Sequence, residues 1–304
     1  MILIAALLAA ASPPSAADIA AAAPASAWRA IKPENLMLVE TARGTMVIEL
    51  APEFAPKHIA AIRALVAAGQ FDGGAITRVQ DNYVVQWAAR PGADKTLTAS
   101  GAAAVKAGGT ATPGGVPVGT GPGPAHPANL PAEYERPLKG LAITPLGSTD
   151  AYAPSGFADG WPVASDAKTS TAWLAHCYAS VGVGRDNPPD TGDGSELYAV
   201  IGHGPRHLDR NITLVGRVVA GISDFSSLPR GTGELGFYKT PGEQTPITRV
   251  HFAGAGDQRY EVLDSASQAF AAYLKARANR TGFFVRSAGA SDLCNVQVPI
   301  RPVK

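Results

Sequence analysis

Only two cysteines, Cys177 and Cys294, occur in 304 residues. A small scaffold stapled by several disulfides is therefore excluded, while the pair is equally compatible with one disulfide or with two buried thiols. Charge is scarce as well: Asp, Glu, Lys and Arg make up 17% of the chain, against about 25% in ordinary domains. That excludes a long coiled coil and a charge-rich disordered tail. The 26 basic and 25 acidic side chains leave a formal net charge of +1, so the electrostatic footprint of a nucleic-acid binder is missing. Beyond the N-terminus, no apolar run approaches the roughly 20 residues needed to span a bilayer. Abundant instead are 33 glycines and 25 prolines, which predict many turns and long loops. An apolar content of 46% is enough for a sizeable core. The length allows one large domain or two ordinary ones.

Met1 to Ala11 (MILIAALLAAA) is an uninterrupted apolar run, followed by a Pro/Ser break and then Ser15-Ala16-Ala17 before Asp18. An apolar segment ending in a small-x-small site is the pattern of a secretory signal. No Lys or Arg precedes the run, so the free amino terminus has to supply the positive charge. Residues 1–17 are thus expected to be a signal peptide and residues 18–35 a mobile Ala/Pro-rich leader. The expected location is periplasmic or secreted, with no membrane association after cleavage.

From Leu36 the texture changes. Leu36 to Thr41 and Thr45 to Leu50 are β-rich runs around Ala42-Arg43-Gly44, a hairpin pattern. Pro56 then opens a helix in which Ile59, Ile62, Leu65 and Val66 recur at helical spacing up to Gly69. Ala75 to Val79 and Tyr83 to Ala88 read as two more strands. Gly101 to Pro131, dominated by Gly, Ala, Pro and Thr, has no apolar periodicity and reads as a surface excursion. Its Gly-rich run, Gly119 to Pro124, lacks the Lys-Ser/Thr of a phosphate-binding loop. Leu141 to Trp173 reads as a second irregular insertion. Trp173 to Val183, Glu196 to Ile201, Ile212 to Val219 and Pro246 to Ala253 are strand-like, and Ile222 to Leu228 has room for a turn or two of helix. Ser265 to Ala278 is the second clear helix, and Phe283 to Val298 has strand texture. Many short strands with two helices predict a β-rich closed domain.

Five segments in order form a recognisable set. Thr41-x-x-Gly44-x-x-x-Ile48-Glu49-Leu50 precedes Ala55-Pro56. Gly69-Gln70-Phe71-Asp72 leads to Ile76-Thr77-Arg78-Val79 and Tyr83-Val84-Val85-Gln86. Leu130-Pro131-Ala132-Glu133-Tyr134 follows the Gly-rich excursion. His176 to Arg185 leads into Gly194-Ser195-Glu196-Leu197-Tyr198. Leu208-Asp209 and Val215-Gly216-Arg217-Val218 close the series. The order and spacing resemble the cyclophilin-type peptidyl-prolyl cis-trans isomerases. The resemblance implies a mainly β fold: a closed antiparallel eight-stranded barrel capped by two helices, with loop insertions and an α/β C-terminal extension. It would occupy residues 36–253, interrupted at about 101–130 and 141–172, with residues 254–304 as the extension packed on it.

The implied chemistry needs neither nucleophile nor cofactor. An X–Pro bond isomerises slowly because amide resonance sets a barrier of about 18–20 kcal/mol. A fixed hydrogen-bond donor to the prolyl nitrogen weakens that resonance, provided an apolar pocket holds the ring. By the resemblance, Arg78 is the catalytic donor and Gln86 orients it and holds the substrate backbone. Tyr83 and Tyr198 stand where the family has phenylalanines, Ile212 where it has a pocket histidine, and His207 at a position often held by tryptophan. Glu196 stands for the usual glutamine and Thr77 for the histidine beside the arginine. Gly184 and Arg185 align with the pair that contacts the residue before proline, and Val84 and Leu208 complete the implied substrate-binding set. The His207 position further implies weak binding of cyclosporin-type ligands.

Rival chemistries find less support. His176-Cys177 and His203-Gly204-Pro205-Arg206-His207 contain possible metal ligands, but Gly204-Pro205 argues against one helix carrying both histidines. Ser195 lacks the following glycine of a nucleophile elbow. Asn211-Ile212-Thr213 and Asn279-Arg280-Thr281 match glycosylation acceptors, a pattern that arises readily by chance. The expected partners are proline-containing unfolded or folding polypeptides, without nucleic acid, metal or cofactor, and the expected state is a monomer. Because the pocket is remodelled, a second reading stays open: a catalytically weak proline-peptide-binding module or chaperone using the same groove.

Overall fold

The computed structural model describes residues 13–92 and 130–303. Most of the first insertion, and the signal segment up to residue 12, lie outside the described residues. In chain order the elements are α1 (Ala16–Ala22), β1 (Trp28–Ala30), β2 (Leu36–Thr41), β3 (Gly44–Leu50), α2 (Pro56–Ala67), β4 (Ala75–Val79) and β5 (Val84–Ala88). Before the second insertion lies β6 (Arg136–Pro137), and the insertion and its C-terminal edge hold β7 (Thr144–Pro145), β8 (Ser155–Ala158), β9 (Trp161–Asp166) and β10 (Thr171–Leu174). Then follow β11 (Ser180–Val183), β12 (Glu196–Val200), β13 (Leu214–Ala220), α3 (Ile222–Ser226), β14 (Thr245–Phe252), β15 (Tyr260–Leu263), α4 (Gln268–Ala278) and β16 (Ile300–Pro302).

Eight strands close into an antiparallel barrel in the order β11-β12-β5-β4-β14-β2-β3-β13, with β13 returning to β11. Closure leaves no barrel edge unpaired. Inward residues of each strand, among them Val39, Ile48, Val79, Val85, Trp87, Leu197 and Val215, form the main core. Burying each large apolar side chain contributes about 1.5–3 kcal/mol. Helix α2 closes the core with Ile59, Ile62, Leu65 and Val66, and α3 with Phe225. The β2–β3 turn needs glycine at Gly44: its φ is +145°, and a Cβ there would meet the Asp224 carboxylate of α3 at 2.2 Å.

The N-terminus of α2 has no side-chain cap of its own, since its N-cap is Ala55. Glu133 supplies one from far along the chain, accepting from the backbone N–H groups of Lys57 and His58 (both 2.9 Å) and pairing with His58 Nδ1 at 2.7 Å. Burial of Glu133 opposes ionisation, but the bonds from His58 and Lys57 outweigh it and hold the carboxyl below its ordinary value. The Leu130-to-Tyr134 motif therefore docks the return of the first insertion onto a helix end, where an anion is favoured.

Four expectations are corrected. The second insertion is not irregular: its strands β7, β8, β9 and β10 join β6, just before it, in a five-stranded antiparallel sheet, β6-β10-β9-β8-β7. Its strands are so short that turn residues dominate the composition. The signal was present in Asp159-Gly160, both at positive φ (50° and 78°), a two-residue turn of the type that joins β8 to β9. The leader is ordered rather than mobile: α1 lies on α4, and β1 joins β15 and β16 in a three-stranded sheet. The two capping helices are α2 and α3, as expected, while α4 belongs to the extension and forms a separate apolar cluster with α1 and the residues around Leu293. Phe283 to Val298 contains no strand, and Trp173 to Val183 is broken after Leu174, because Ala175 to Ala179 turn through a positive-φ Ala179.

Ile31 and Tyr260 of this terminal unit pack with Leu36, Leu38 and Val47 of the barrel, and polar and covalent ties add to this. Cys177 and Cys294 form a disulfide, which settles the pairing left open by the sequence. Elsewhere Glu49 of β3 accepts from Arg29 of β1 at 2.9 Å and from Arg217 of β13 at 2.7 and 3.0 Å. The Arg217 guanidinium also donates to the Gly160 carbonyl and lies 4.4 Å from the Trp161 ring centroid. N-terminal strand, barrel and insertion thus share one buried carboxylate.

Candidate functional site

The barrel register explains why the motif residues are spaced as they are. Arg78 of β4 stands opposite Gln86 of β5, Gln86 opposite Tyr198 of β12, and Tyr198 opposite Gly182 of β11. Cross-strand partners share a face, so the four form one row across the outside of the barrel. The eight-residue spacing of Arg78 and Gln86 is a hairpin spacing with one irregularity between Ile76 and Arg78. Below the row Val84, Tyr198, Val200, Leu208 and Ile212 form an apolar cluster separate from the core, with Tyr83 against it.

Arg78 is 1% exposed. Its Nε–H donates to the Leu235 carbonyl at 2.7 Å, one Nη to Gln86 Oε1 at 3.3 Å, and the other to Gln80 Oε1. Two of its five N–H groups remain. The Tyr83 and Phe237 ring centroids lie 5.5 and 5.0 Å from the guanidinium carbon, within cation–π range. Burial lowers the Arg78 pKa to about 10, against the opposing influence of Tyr83 and Tyr198. It remains a cation at neutral pH. Gln86 is held in turn, donating from Nε2 to Glu196 at 3.0 Å.

Tyr198 is fully buried, and its hydroxyl has the partner that such burial demands. Its Oη lies 3.0 Å from His176 Nε2, and His176 Nδ1 lies 3.0 Å from Asp209 Oδ1. Asp209 accepts from Arg206 Nε at 2.6 Å, and Arg206 reaches Asp150 of the second insertion at 2.9 Å. Burial lowers the His176 pKa despite Asp209, so the ring is neutral. Nδ1–H then donates to the carboxylate, and Nε2 accepts from the tyrosine. The absence of a side chain at Gly182 makes room, since a Cβ there would meet Tyr198 Oη at 2.3 Å. Phenylalanine-to-tyrosine exchange in the pocket is thus matched by a buried histidine.

The remaining candidates sit around this centre. The Gly184 N–H donates to the Glu196 carbonyl at 2.9 Å, so Gly184, Glu196 and Gln86 are neighbours. Arg185 donates to the Asn211 carbonyl from Nε and Nη2 at 3.0 and 2.9 Å, beside Ile212. Leu208 and Ile212 are buried. His207 is exposed between buried Arg206 and Leu208, a position at the rim. Among the described residues, no group of three or more His, Cys, Asp or Glu side chains is placed to hold a metal ion. His176, named above as a possible ligand, is instead committed to Tyr198 and Asp209.

Sequence reasoning missed the other wall. Gly231 donates to the Val79 carbonyl at 2.9 Å and Tyr238 to the Thr77 carbonyl at 3.0 Å, while Phe237 pairs with Arg78 as an antiparallel bridge. The loop between α3 and β14 is thereby laid along β4, bringing Leu235 and Phe237 onto the arginine. Leu235 has φ +56°, a conformation costly for a branched side chain and maintained by its surroundings. The only advance signal was an aromatic pair, Phe237-Tyr238, inside a Gly-rich loop.

Residues 36–252 match the model of the cyclophilin type peptidyl-prolyl cis-trans isomerase/CLD family. The chain belongs to that cyclophilin family. Among solved structures, this cyclophilin is similar to cyclophilin AquaCyp293 from Hirschia baltica, at 24% identity and a TM-score of 0.63. The likeness covers 90% of this chain and 93% of that one, and it shows the fold. Over 57 residues it is 39% identical to a probable peptidyl-prolyl cis-trans isomerase of Brucella suis biovar 1 and 37% identical to one of Brucella abortus strain 2308. Those matches span 19% of this cyclophilin and 29% of the length of each relative.

Proposed function

We propose that this cyclophilin accelerates cis–trans isomerisation of X–Pro bonds in folding polypeptides. The observation that carries the reading is the row Arg78–Gln86–Tyr198 above an apolar cluster. The prolyl ring enters against Tyr83, Val84, Leu208 and Ile212, and Arg78 donates to the prolyl nitrogen as the bond twists. Gln86, fixed by Glu196, orients the guanidinium. The Leu235 carbonyl holds Nε from behind, so the Nη side is presented. Substrate exchanges with the Gln80 amide for the outer Nη, because the arginine is otherwise covered. No covalent bond is broken and no group is transferred.

Two-dimensional exchange NMR on short Ala-Pro peptides tests this with wild type and Arg78→Ala. A barrier lowered by about 2.7 kcal/mol gives a roughly hundredfold acceleration, and Arg78→Ala should lose most of it while remaining folded. The burial of Arg78 favours one other reading, a proline-peptide-binding module without useful turnover. In that case peptide resonances shift on binding while exchange stays at the uncatalysed rate.

The same proposal places the protein in the periplasm or outside the cell. Support comes from the apolar run Met1 to Ala11 and the Cys177–Cys294 bond, which suits an oxidising compartment. The Ser15 side chain caps α1 and pairs with Asp18, so a cut after Ala17 would remove the first turn of that helix. The cleavage is therefore placed upstream of Ser15, which the mass of the mature N-terminus checks.

A further inference from the structure

The C-terminal extension carries the most exposed apolar side chains among the described residues. Phe283 is 93% exposed and Val285 98%, with Phe284 at 43% between them. Three such residues in succession on a loop tip have no role in the barrel, the disulfide or the proline pocket. Arg280 and Arg286 flank them, and the Arg280 guanidinium lies 5.3 Å from the Phe284 ring centroid.

The charge around the tip is one-sided. From Gln268 to Ser291 the basic residues are Lys275, Arg277, Arg280 and Arg286, and no acid occurs among them, in a chain that is otherwise slightly acidic. Asp292 is engaged in accepting from the Asn295 N–H, and Asp18 on α1 is bound to Ser15. A groove of about 620 Å³ beside the tip is lined by Pro13, Ile19, Lys275, Arg280 and Phe284, among others. None of the pocket residues lines this groove.

We propose that the Phe283–Val285 tip and its basic surround dock on an anionic phospholipid bilayer. Aromatic and aliphatic side chains enter the boundary between headgroups and acyl chains, and the arginines meet lipid phosphates. This departs from the expectation of no membrane association after signal cleavage, and it stands independently of catalysis.

Vesicle co-sedimentation of the full chain tests the proposal, with the apolar run common to every variant. The vesicles are phosphatidylglycerol/phosphatidylcholine in equal parts, or phosphatidylcholine alone. The expected result is binding to the anionic vesicles, weakened by salt, with a drop of about tenfold or more for the combined Phe283→Ser, Phe284→Ser, Val285→Ser variant. Arg280→Gln with Arg286→Gln should reduce anionic binding and leave neutral vesicles unaffected. Unchanged thermal unfolding of both variants shows that the fold is retained, as the exposure of these side chains requires. Wild-type binding by the serine variant, equal binding to neutral and anionic vesicles, or no binding at all each overturns the proposal.

Discussion

The barrel and the terminal unit are stabilised in different ways. In the barrel every strand has two neighbours, and the inward side chains of all eight strands meet in one core. The terminal unit has a three-stranded sheet, β1-β15-β16, and a cluster drawn from segments at both ends of the chain. It closes on nothing of its own. Its order draws on Ile31 and Tyr260 packed against Leu36, Leu38 and Val47, on the Cys177–Cys294 bond, on Phe157 packed 5.1 Å from Phe270, and on Glu49 shared between Arg29 and Arg217. Hydrogen bonds of the ladder hold the barrel; side-chain ties of long sequence separation hold the extension. The proposed proline site lies on the first and is linked to the second through Tyr198, His176 and the adjacent Cys177.

The largest way to break this contrast is Glu49→Ala. Arg217 would be left buried without a counter-ion, and removing one partner of a buried pair costs about 3–5 kcal/mol. Urea unfolding should show a loss of that size, since Glu49 lies on a barrel strand and serves both regions. Next comes the combined Cys177→Ser, Cys294→Ser variant, with a cost of about 2–5 kcal/mol. Here the contrast sharpens: amide hydrogen exchange should accelerate in β1, β15 and α4 and change little in β4, β5 and β12. Equal acceleration in both regions would merge them into one cooperative unit.

Smaller effects are expected at the pocket. Tyr198→Phe leaves His176 Nε2 buried without a donor, at a cost of about 1–3 kcal/mol. Because burial holds the folded His176 below its ordinary value of 6.5, the unfolded chain takes up the proton first as pH falls. Its stabilisation is complete above about pH 6.5 and is lost progressively below it. Asp209 and Asp150 are also lowered, burial opposing and their hydrogen bonds prevailing, and they add a further loss only below their ordinary 3.8. Unfolding midpoints measured from pH 7 downward should therefore fall earlier in wild type than in His176→Gln. Smallest is Gln80→Ala, which removes the group that substrate displaces in the proposed mechanism. KM for proline peptides should fall a few-fold with kcat nearly unchanged.

The two regions also differed in how far their sequence could be read. Arg78 and Gln86 sit eight residues apart across one tight turn, and period-two alternation puts them on one face, so the centre of the site was legible from local pattern. The β2–β3 hairpin and α2 were legible for the same reason. Glu133 capping α2 was not, because a helix end signals the need for a cap but not which distant carboxylate meets it. Leu235 and Phe237 were hidden similarly: nothing in a Gly-rich loop specifies the strand it lies along. Asp159-Gly160 carried a hairpin signal that the surrounding Ser, Asp and Gly residues obscured. Local rules reached the barrel row; long-range docking placed everything around it.

The central claim is that a proline peptide takes the Gln80 amide's place at Arg78 while the Leu235 carbonyl keeps its hold on Nε. Side-chain nitrogen–proton NMR of Arg78, with and without saturating Ala-Pro peptide, tests it directly. The account predicts a large shift of the Nη resonances with the Nε resonance nearly fixed and slow to exchange. Unchanged Nη resonances in the saturated complex would contradict it, as would an Nε–H that loses its protection.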